Sequence, residues 1–186
     1  GELRSQIPPW TPSAWPSLFT GTNPGRHGLF DFLAFDGYEW DVVDATRLRE
    51  RTVWEYLSNA GYESVVVNVP VTHPPRQFDG ALIPGYTAPE DPPCHPEGLL
   101  DDVRDAVGSY RVYPDPGSDP ASDDYAAHRE VVRSRGEAFT YLADRFDPDF
   151  GFLQFQQTDT VFHRYPDDWD AVSAVYEAAD AALERV

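Results

Sequence analysis

Apolar residues along this chain fall into short runs separated by polar, proline-rich and glycine-rich breaks, and the runs follow two different periods. Ser64-Val65-Val66-Val67-Asn68-Val69-Pro70 is continuous and β-branched, the length and character of a central parallel strand buried on both faces. Phe152-Leu153-Gln154-Phe155 is a second apolar run, and it ends in polar residues as a strand does at its carboxyl edge. Helical spacing predicts a short helix between Thr52 as cap and Gly61 as stop, and another from Pro96 to Val107 stopped by Gly108. Ser122-Asp123-Asp124 caps a long helix through about Phe146, with Tyr125, Val132, Phe139 and Leu142 among its apolar positions. Asp167 to Val186 reads as a last helix with Trp169, Val172, Val175, Tyr176, Ala179 and Leu183 on one face. Leu29 to Leu33 suits a short buried strand or turn, whereas Val71 to Pro96 and Tyr113 to Pro120 carry too much proline and glycine for regular structure. Helices alternating with buried strands are the rhythm of an α/β protein with a mostly parallel sheet.

Two segments carry candidate chemistry. In Trp10-Thr11-Pro12-Ser13-Ala14-Trp15, a hydroxyl stands where a helix begins. Thr11 reads as the N-cap and Pro12 as the first helical residue, since proline's missing N–H costs nothing there. Its Oγ would lie among free N–H groups able to hold a phosphate oxygen, although a cap with no further role fits the same pattern. Far along the chain, Asp159 and His163 are spaced i, i+4. On one helical turn this spacing sets a carboxylate and an imidazole on one face, close enough to share a divalent metal, or to form a surface ion pair.

Charge narrows the function further. The 186 residues carry a formal charge of −18; all 14 basic residues are arginine, and the 32 acids are 21 Asp and 11 Glu. Such an acid excess repels phosphate backbones and anionic lipid, which excludes nucleic-acid wrapping and basic-patch membrane binding. With 41% hydrophobic residues the chain has an ordered core under this surface, a composition that resembles proteins of salt-loving organisms. The single cysteine, Cys94, forms no intrachain disulfide, and a reducing, cytoplasmic location is the expectation. Cys94 and His95, adjacent in a proline-rich loop, lack metal-ligand spacing. No run approaches the roughly 20 apolar residues of a membrane span.

With these segments in view, the chain resembles the type I phosphodiesterase/nucleotide pyrophosphatase branch of the alkaline phosphatase superfamily, above all its archaeal members predicted to be phosphohydrolases or phosphomutases. The resemblance rests on Ile7 to Ser17, Thr20-Gly21-Thr22-Asn23-Pro24-Gly25-Arg26-His27-Gly28-Leu29-Phe30-Asp31-Phe32, Thr52-Val53-Trp54, Val67 to Pro75 and Thr158-Asp159-Thr160-Val161-Phe162-His163-Arg164. It implies an α/β fold of three αβα layers, with residues 1–186 as one partial domain bearing an irregular insertion at about 71–122. It makes Thr11, ten residues before Gly21, both the nucleophile and a metal contact, and Asp159 and His163 two ligands of one of a pair of divalent ions. Zinc is the expected metal, with manganese as the alternative. His27 is expected to pack and fix a loop rather than to bind metal. The resemblance places the remaining ligands in an Asp-Gly upstream and an Asp-His-Gly downstream, neither present here, so the chain is expected to hold about half of one metal site. Activity is therefore expected of a full-length parent, and metal binding and turnover by the chain alone are expected to be poor.

The implied reaction is hydrolysis of a small phosphate ester or nucleotide through a phosphothreonine, with water or, in a mutase-like member, a second hydroxyl taking the phosphoryl group. Ser13 and Ser17 rank below Thr11 as rival hydroxyls. Sulfatase chemistry is disfavoured because Thr11-Pro12-Ser13-Ala14-Trp15 lacks the Cys/Ser-x-Pro-x-Arg pattern. A phosphomutase and a non-catalytic scaffold that has lost its metals stay open as alternatives. Arg26, Arg76, Arg111 and Arg164 are candidate phosphate contacts, and Trp10, Trp15 and Tyr86 candidate stacking platforms; ion pairing and aromatic packing are the simpler roles. Substrate identity and oligomeric state are not legible.

Overall fold

The computed structural model describes residue 2, residues 4–114 and residues 125–186. Three parallel strands form the main sheet in the order β4-β3-β5: β3 spans Ser64–Val69, β4 Gly80–Pro84 and β5 Phe150–Leu153. Every residue of β3 is buried, as its β-branched run requires of a strand covered on both faces. Alternation along it sorts two cores. Val65 and Val67 join Ala81 and Ile83 beneath α4 (Leu99–Val107) and α5 (Ala126–Phe146). Val66 and Val69 join Phe19, Trp54, Phe78 and Leu82 beneath α1 (Thr11–Thr20) and α3 (Val53–Asn59). Helices thus cover both faces, giving three layers.

Strict alternation would put Val66 and Asn68 on one face, yet Val69 shares the core of Val66. The register shifts between Val67 and Val69, and Asn68 there takes the left-handed conformation at φ 63°. The bulge turns the strand's last residue and aims the Asn68 side chain along the sheet's carboxyl edge, beside Gln154. It also fixes a neighbour: a Cβ on Gly85 would stand 2.1 Å from the Asn68 carbonyl oxygen, so only glycine fits.

Local signals place several elements well. Thr52 and Glu55 form a reciprocal capping box at the start of α3, and Gly108 at φ 82° ends α4. Other expectations are corrected. The stretch from Val71 to Pro96 is not wholly irregular, because β4 lies within it and is held by pairing with β3. The segment beginning at Leu29 becomes strand only at β1 (Leu33–Asp36), which pairs antiparallel with β2 (Glu39–Val42) in a separate hairpin turned at Gly37. Ser122-Asp123-Asp124 lies outside the described residues. In the last helix, α7 (Trp169–Leu183), the buried stripe is Ala171, Val172, Val175, Ala179 and Ala182, while Trp169, Tyr176 and Leu183 are exposed. Small residues let α7 pack close on α5, where Ala182 Cβ meets the position a Gly136 side chain would take. No helix among the described residues is long and apolar enough to cross a membrane.

Candidate active site

Thr11 is the first residue of α1 and not its cap, which is Trp10 at φ −133° and ψ 167°. The Trp10 carbonyl accepts from Ser13 N–H at 3.2 Å and Ala14 N–H at 2.8 Å, starting the helix one residue earlier than proline placement suggests. Pro12 is tolerated as second residue because no N–H in the first turn has an intrahelical partner. The correction alters Thr11's role: its hydroxyl caps nothing and makes no hydrogen bond among the described residues. The two rival hydroxyls are engaged. Ser13, fully buried, donates to the Pro8 carbonyl at 2.5 Å, and Ser17 donates to the Ser13 carbonyl at 2.7 Å. Trp15, one turn beyond Thr11, packs on Phe152 of β5 with ring centroids 6.2 Å apart, seating α1 against the strand that leads to Asp159.

After β5 the chain enters α6 (Gln157–Arg164). Buried Gln157 anchors this helix, accepting through Oε1 from His128 Nδ1 of α5 at 2.6 Å. Asp159 lies in its first turn and His163 one turn later, with Asp159 Oδ1 and His163 Nε2 3.6 Å apart and both side chains exposed. Two ligands about 2.1 Å from a tetrahedral ion stand about 3.4 Å from each other, so the pair fits one edge of a divalent metal site in distance and in donor chemistry. Among the described residues no group of three or more His, Cys, Asp or Glu is placed to hold a metal, so these two stand without a third ligand. Thr11 makes no hydrogen bond to either.

Behind Asp159 runs a feature the sequence reading missed. Gln156 Nε2 donates to Asp159 Oδ2 at 3.0 Å, Gln154 Nε2 to Gln156 Oε1 at 3.0 Å, and Asn68 Nδ2 to Gln154 Oε1 at 2.6 Å. Asn68 Oδ1 is buried without a hydrogen-bond partner among the described residues. The clue in the sequence was three glutamines at 154, 156 and 157 ending an apolar run, where a strand leaving the core would carry apolar residues.

The remaining candidates serve packing or ion pairs. His27 is fully buried; its Nδ1 accepts from Leu29 N–H at 3.2 Å, so the ring proton sits on Nε2 and is donated to Ser17 Oγ at 2.9 Å. Burial holds its imidazole below the ordinary histidine value. Arg76 donates through Nη2 to the Leu48 and Ala45 carbonyls at 2.5 and 3.1 Å, clamping the loop that precedes α3. Arg26 pairs with Glu50 at 3.2 Å and Arg111 with Glu90 at 3.5 Å, while Arg164 is exposed on α6. Trp10 Nε1 donates to the Phe30 carbonyl at 2.7 Å, and Tyr86 packs edge-on against Phe32 and Tyr113. Cys94 is half-buried with its thiol pushed up to about 12 by burial, and His95 Nε2 lies 2.7 Å from the Phe78 carbonyl.

A hydroxyl without a partner among the described residues at a helix start, and a carboxylate–imidazole pair beyond the carboxyl end of a parallel strand, suit nucleophilic attack on an anionic group. The structure resembles phosphonoacetate hydrolase from Sinorhizobium meliloti 1021 in complex with phosphonoformate, at 20% identity and TM-score 0.66, over 97% of this chain and 43% of that one. The same enzyme in complex with phosphonoacetate matches at 20% identity and TM-score 0.57, with the same coverage. The chain therefore spans less than half the length of that hydrolase and shares its fold over that part. No curated protein matches the chain. The family model for type I phosphodiesterase / nucleotide pyrophosphatase matches residues 1–186, and the chain, an α/β unit with a parallel sheet between helical layers, belongs to that family of hydrolases.

Proposed function

We propose that the full-length protein is a metal-dependent hydrolase of phosphoric esters, of phosphodiesterase type, with Thr11 as nucleophile and Asp159 and His163 as ligands of one divalent ion. The observation that carries this reading is the 3.6 Å approach of Asp159 Oδ1 to His163 Nε2 on the exposed face of α6. Thr11 supports it as the one hydroxyl of four on α1 left without an intrachain partner among the described residues, at a helix end whose dipole favours a phosphoryl group. Asp159 and His163 would hold one of a pair of divalent ions, zinc first, which when bound would supply Lewis acidity toward the phosphoryl oxygens and lower the pKa of the Thr11 hydroxyl. Thr11 Oγ1 attacks phosphorus in line with the leaving oxygen, forming one P–O bond as the other breaks, and the hydroxyl proton departs with the leaving alkoxide as the alcohol. The resulting phosphothreonine is cleaved by water, which restores the hydroxyl.

The substrate is a small diester or nucleotide in preference to a polymer, since the charge of −18 opposes long polyanions. A phosphonate such as the one bound by the Sinorhizobium enzyme is a second candidate, because it presents the same oxygens to the site. The test is hydrolysis of bis-p-nitrophenyl phosphate, p-nitrophenyl phosphate and phosphonoacetate by the full-length protein with zinc or manganese. The diester is expected to be cleaved fastest, and Thr11→Ala to lose activity by about 10³-fold or more. Full activity in Thr11→Ala overturns the nucleophile, and turnover unaffected by chelators overturns the metal.

A further inference from the structure

The amides between the end of β3 and Asp159 form a chain with one direction. At its inner end Asn68 Nδ2 faces two acceptors on Gln154, the backbone carbonyl at 3.1 Å and Oε1 at 2.6 Å. At its outer end Gln156 Nε2 faces a carboxylate. A carbonyl and a carboxylate only accept, so no amide in the chain reverses without setting two acceptors against each other. Each amide therefore donates to the next group toward Asp159, and the aligned dipoles strengthen the final bond. The three amide side chains are buried, whereas the Asp159 side chain is 54% exposed and would otherwise rotate freely. The final bond holds Oδ2 and leaves Oδ1 facing His163.

An apolar junction between β5 and α6 would avoid burying three amides. The chain keeps them, with Asn68 at a left-handed φ of 63° and its Oδ1 unpaired among the described residues. Strain and an unsatisfied polar atom at a strand's carboxyl end are characteristic of functional sites. We infer that Gln156, backed by Gln154 and Asn68, is a positioning residue that fixes the Asp159 carboxylate in its metal-ligating orientation. This inference rests on the metal-site reading above.

The test titrates Zn²⁺ into the metal-free full-length protein by calorimetry and Co²⁺ by visible absorption, with urea unfolding of the metal-free form as a separate readout of folding. Gln156→Leu is expected to weaken Zn²⁺ binding by about 10- to 100-fold and to alter the cobalt spectrum. Gln154→Met is expected to weaken it less, and the double variant to bind no worse than Gln156→Leu, since Gln154 acts through Gln156. Asp159→Asn and His163→Ala report on the ligands themselves. If these two lose metal while both glutamine variants keep wild-type affinity and spectrum, the positioning role is wrong and the site survives. Should Asp159→Asn and His163→Ala bind as the wild type does, the ligand assignment fails and the positioning role falls with it. Where Gln156→Leu does not fold, Gln154→Met decides between the same outcomes.

Discussion

Three hydroxyls share the first two turns of α1, and their partners assign them opposite roles. Ser13 sits at zero exposure with its hydroxyl 2.5 Å from the half-buried Pro8 carbonyl, which also accepts from Gln6 Nε2, so Ser13→Ala removes one of two donors and costs about 0.5–1.5 kcal/mol of stability. Thr11 holds nothing in place, so Thr11→Ala should leave the urea midpoint unchanged while abolishing turnover. Measuring both quantities on both variants separates the nucleophile from the packing hydroxyl; a Thr11→Ala protein that is destabilised and still active reverses the assignment. Arg135 is a second case in which partners decide. Among the described residues it is the largest side chain fully withdrawn from water, and there Nη2 donates to the Val112 carbonyl at 2.5 Å while Nε and Nη1 have no hydrogen-bond partner. Burial pushes its pKa down to about 10, so it remains charged at neutral pH. A buried charge without a paired carboxylate is outperformed by an apolar side chain of similar length, and Arg135→Met is expected to match or exceed the wild-type urea midpoint. A clear loss of stability would show that the guanidinium contributes more than its single bond indicates.

At the scale of elements, the turn between α1 and α2 (Pro24–His27) hangs on one neutral imidazole, which ties Ser17 of α1 to the backbone of Leu29. Burial is the main cause that lowers the pKa of His27, and it does the same to His73. The unfolded chain, with histidines near the ordinary 6.5, therefore binds protons that the folded chain refuses. The stability from neutral imidazoles is complete above that value and is lost as pH falls through the lowered folded values. Urea midpoints between about pH 7 and about pH 5.5 should fall, above the range where most carboxylates protonate, and His27→Gln should flatten the slope. A His27→Gln protein with the wild-type slope would place the proton uptake elsewhere. Elements with local signals were legible in the sequence: β3 by its valines, α3 by its Thr52 cap, α4 by Gly108. Others were not, because their cause is tertiary. Between Gly80 and Pro84 the glycine and proline read as a loop, and pairing with β3 makes the strand. The apolar residues of α7 exceed what one face buries, and contact with α5 selects the alanines. In the candidate site, helical spacing brings Asp159 and His163 side by side, while their role as metal ligands comes from the resemblance and not from the spacing. Their support was hidden because Asn68 and Gln154 are 86 positions apart in the chain and meet only across the β3–β5 pairing.

For the molecule as a whole, electrostatics opposes the compact state. A formal charge of −18 on 186 residues, with arginine as its only basic residue, leaves many carboxylates without a counter-charge. Several of the arginines are committed to local pairs or clamps, as Arg104 is to Asp91 at 2.6 Å, Arg145 to Asp102 at 2.7 Å and Arg76 to backbone carbonyls. Folding gathers these like charges, and their repulsion extends over roughly the Debye length, about 30 Å at 0.01 M salt and about 3 Å at 1 M. The exposed ion pairs weaken with salt too, but each is worth at most about 1 kcal/mol, and they are fewer than the unpaired acids. Relief of repulsion therefore wins. The midpoint of thermal unfolding is expected to rise steadily as sodium chloride increases from about 0.01 M to about 1 M, with most of the gain below about 0.3 M, where the screening length shrinks fastest. Sodium chloride is the appropriate probe because it screens without the strong surface exclusion of sulfate, which would stabilise any folded protein by strengthening apolar burial. A midpoint that is flat or falls across that range would mean that the surface pairs outweigh the net repulsion. The same screening should ease the approach of an anionic ester, so kcat/KM for the diester should rise over the salt range that raises the midpoint.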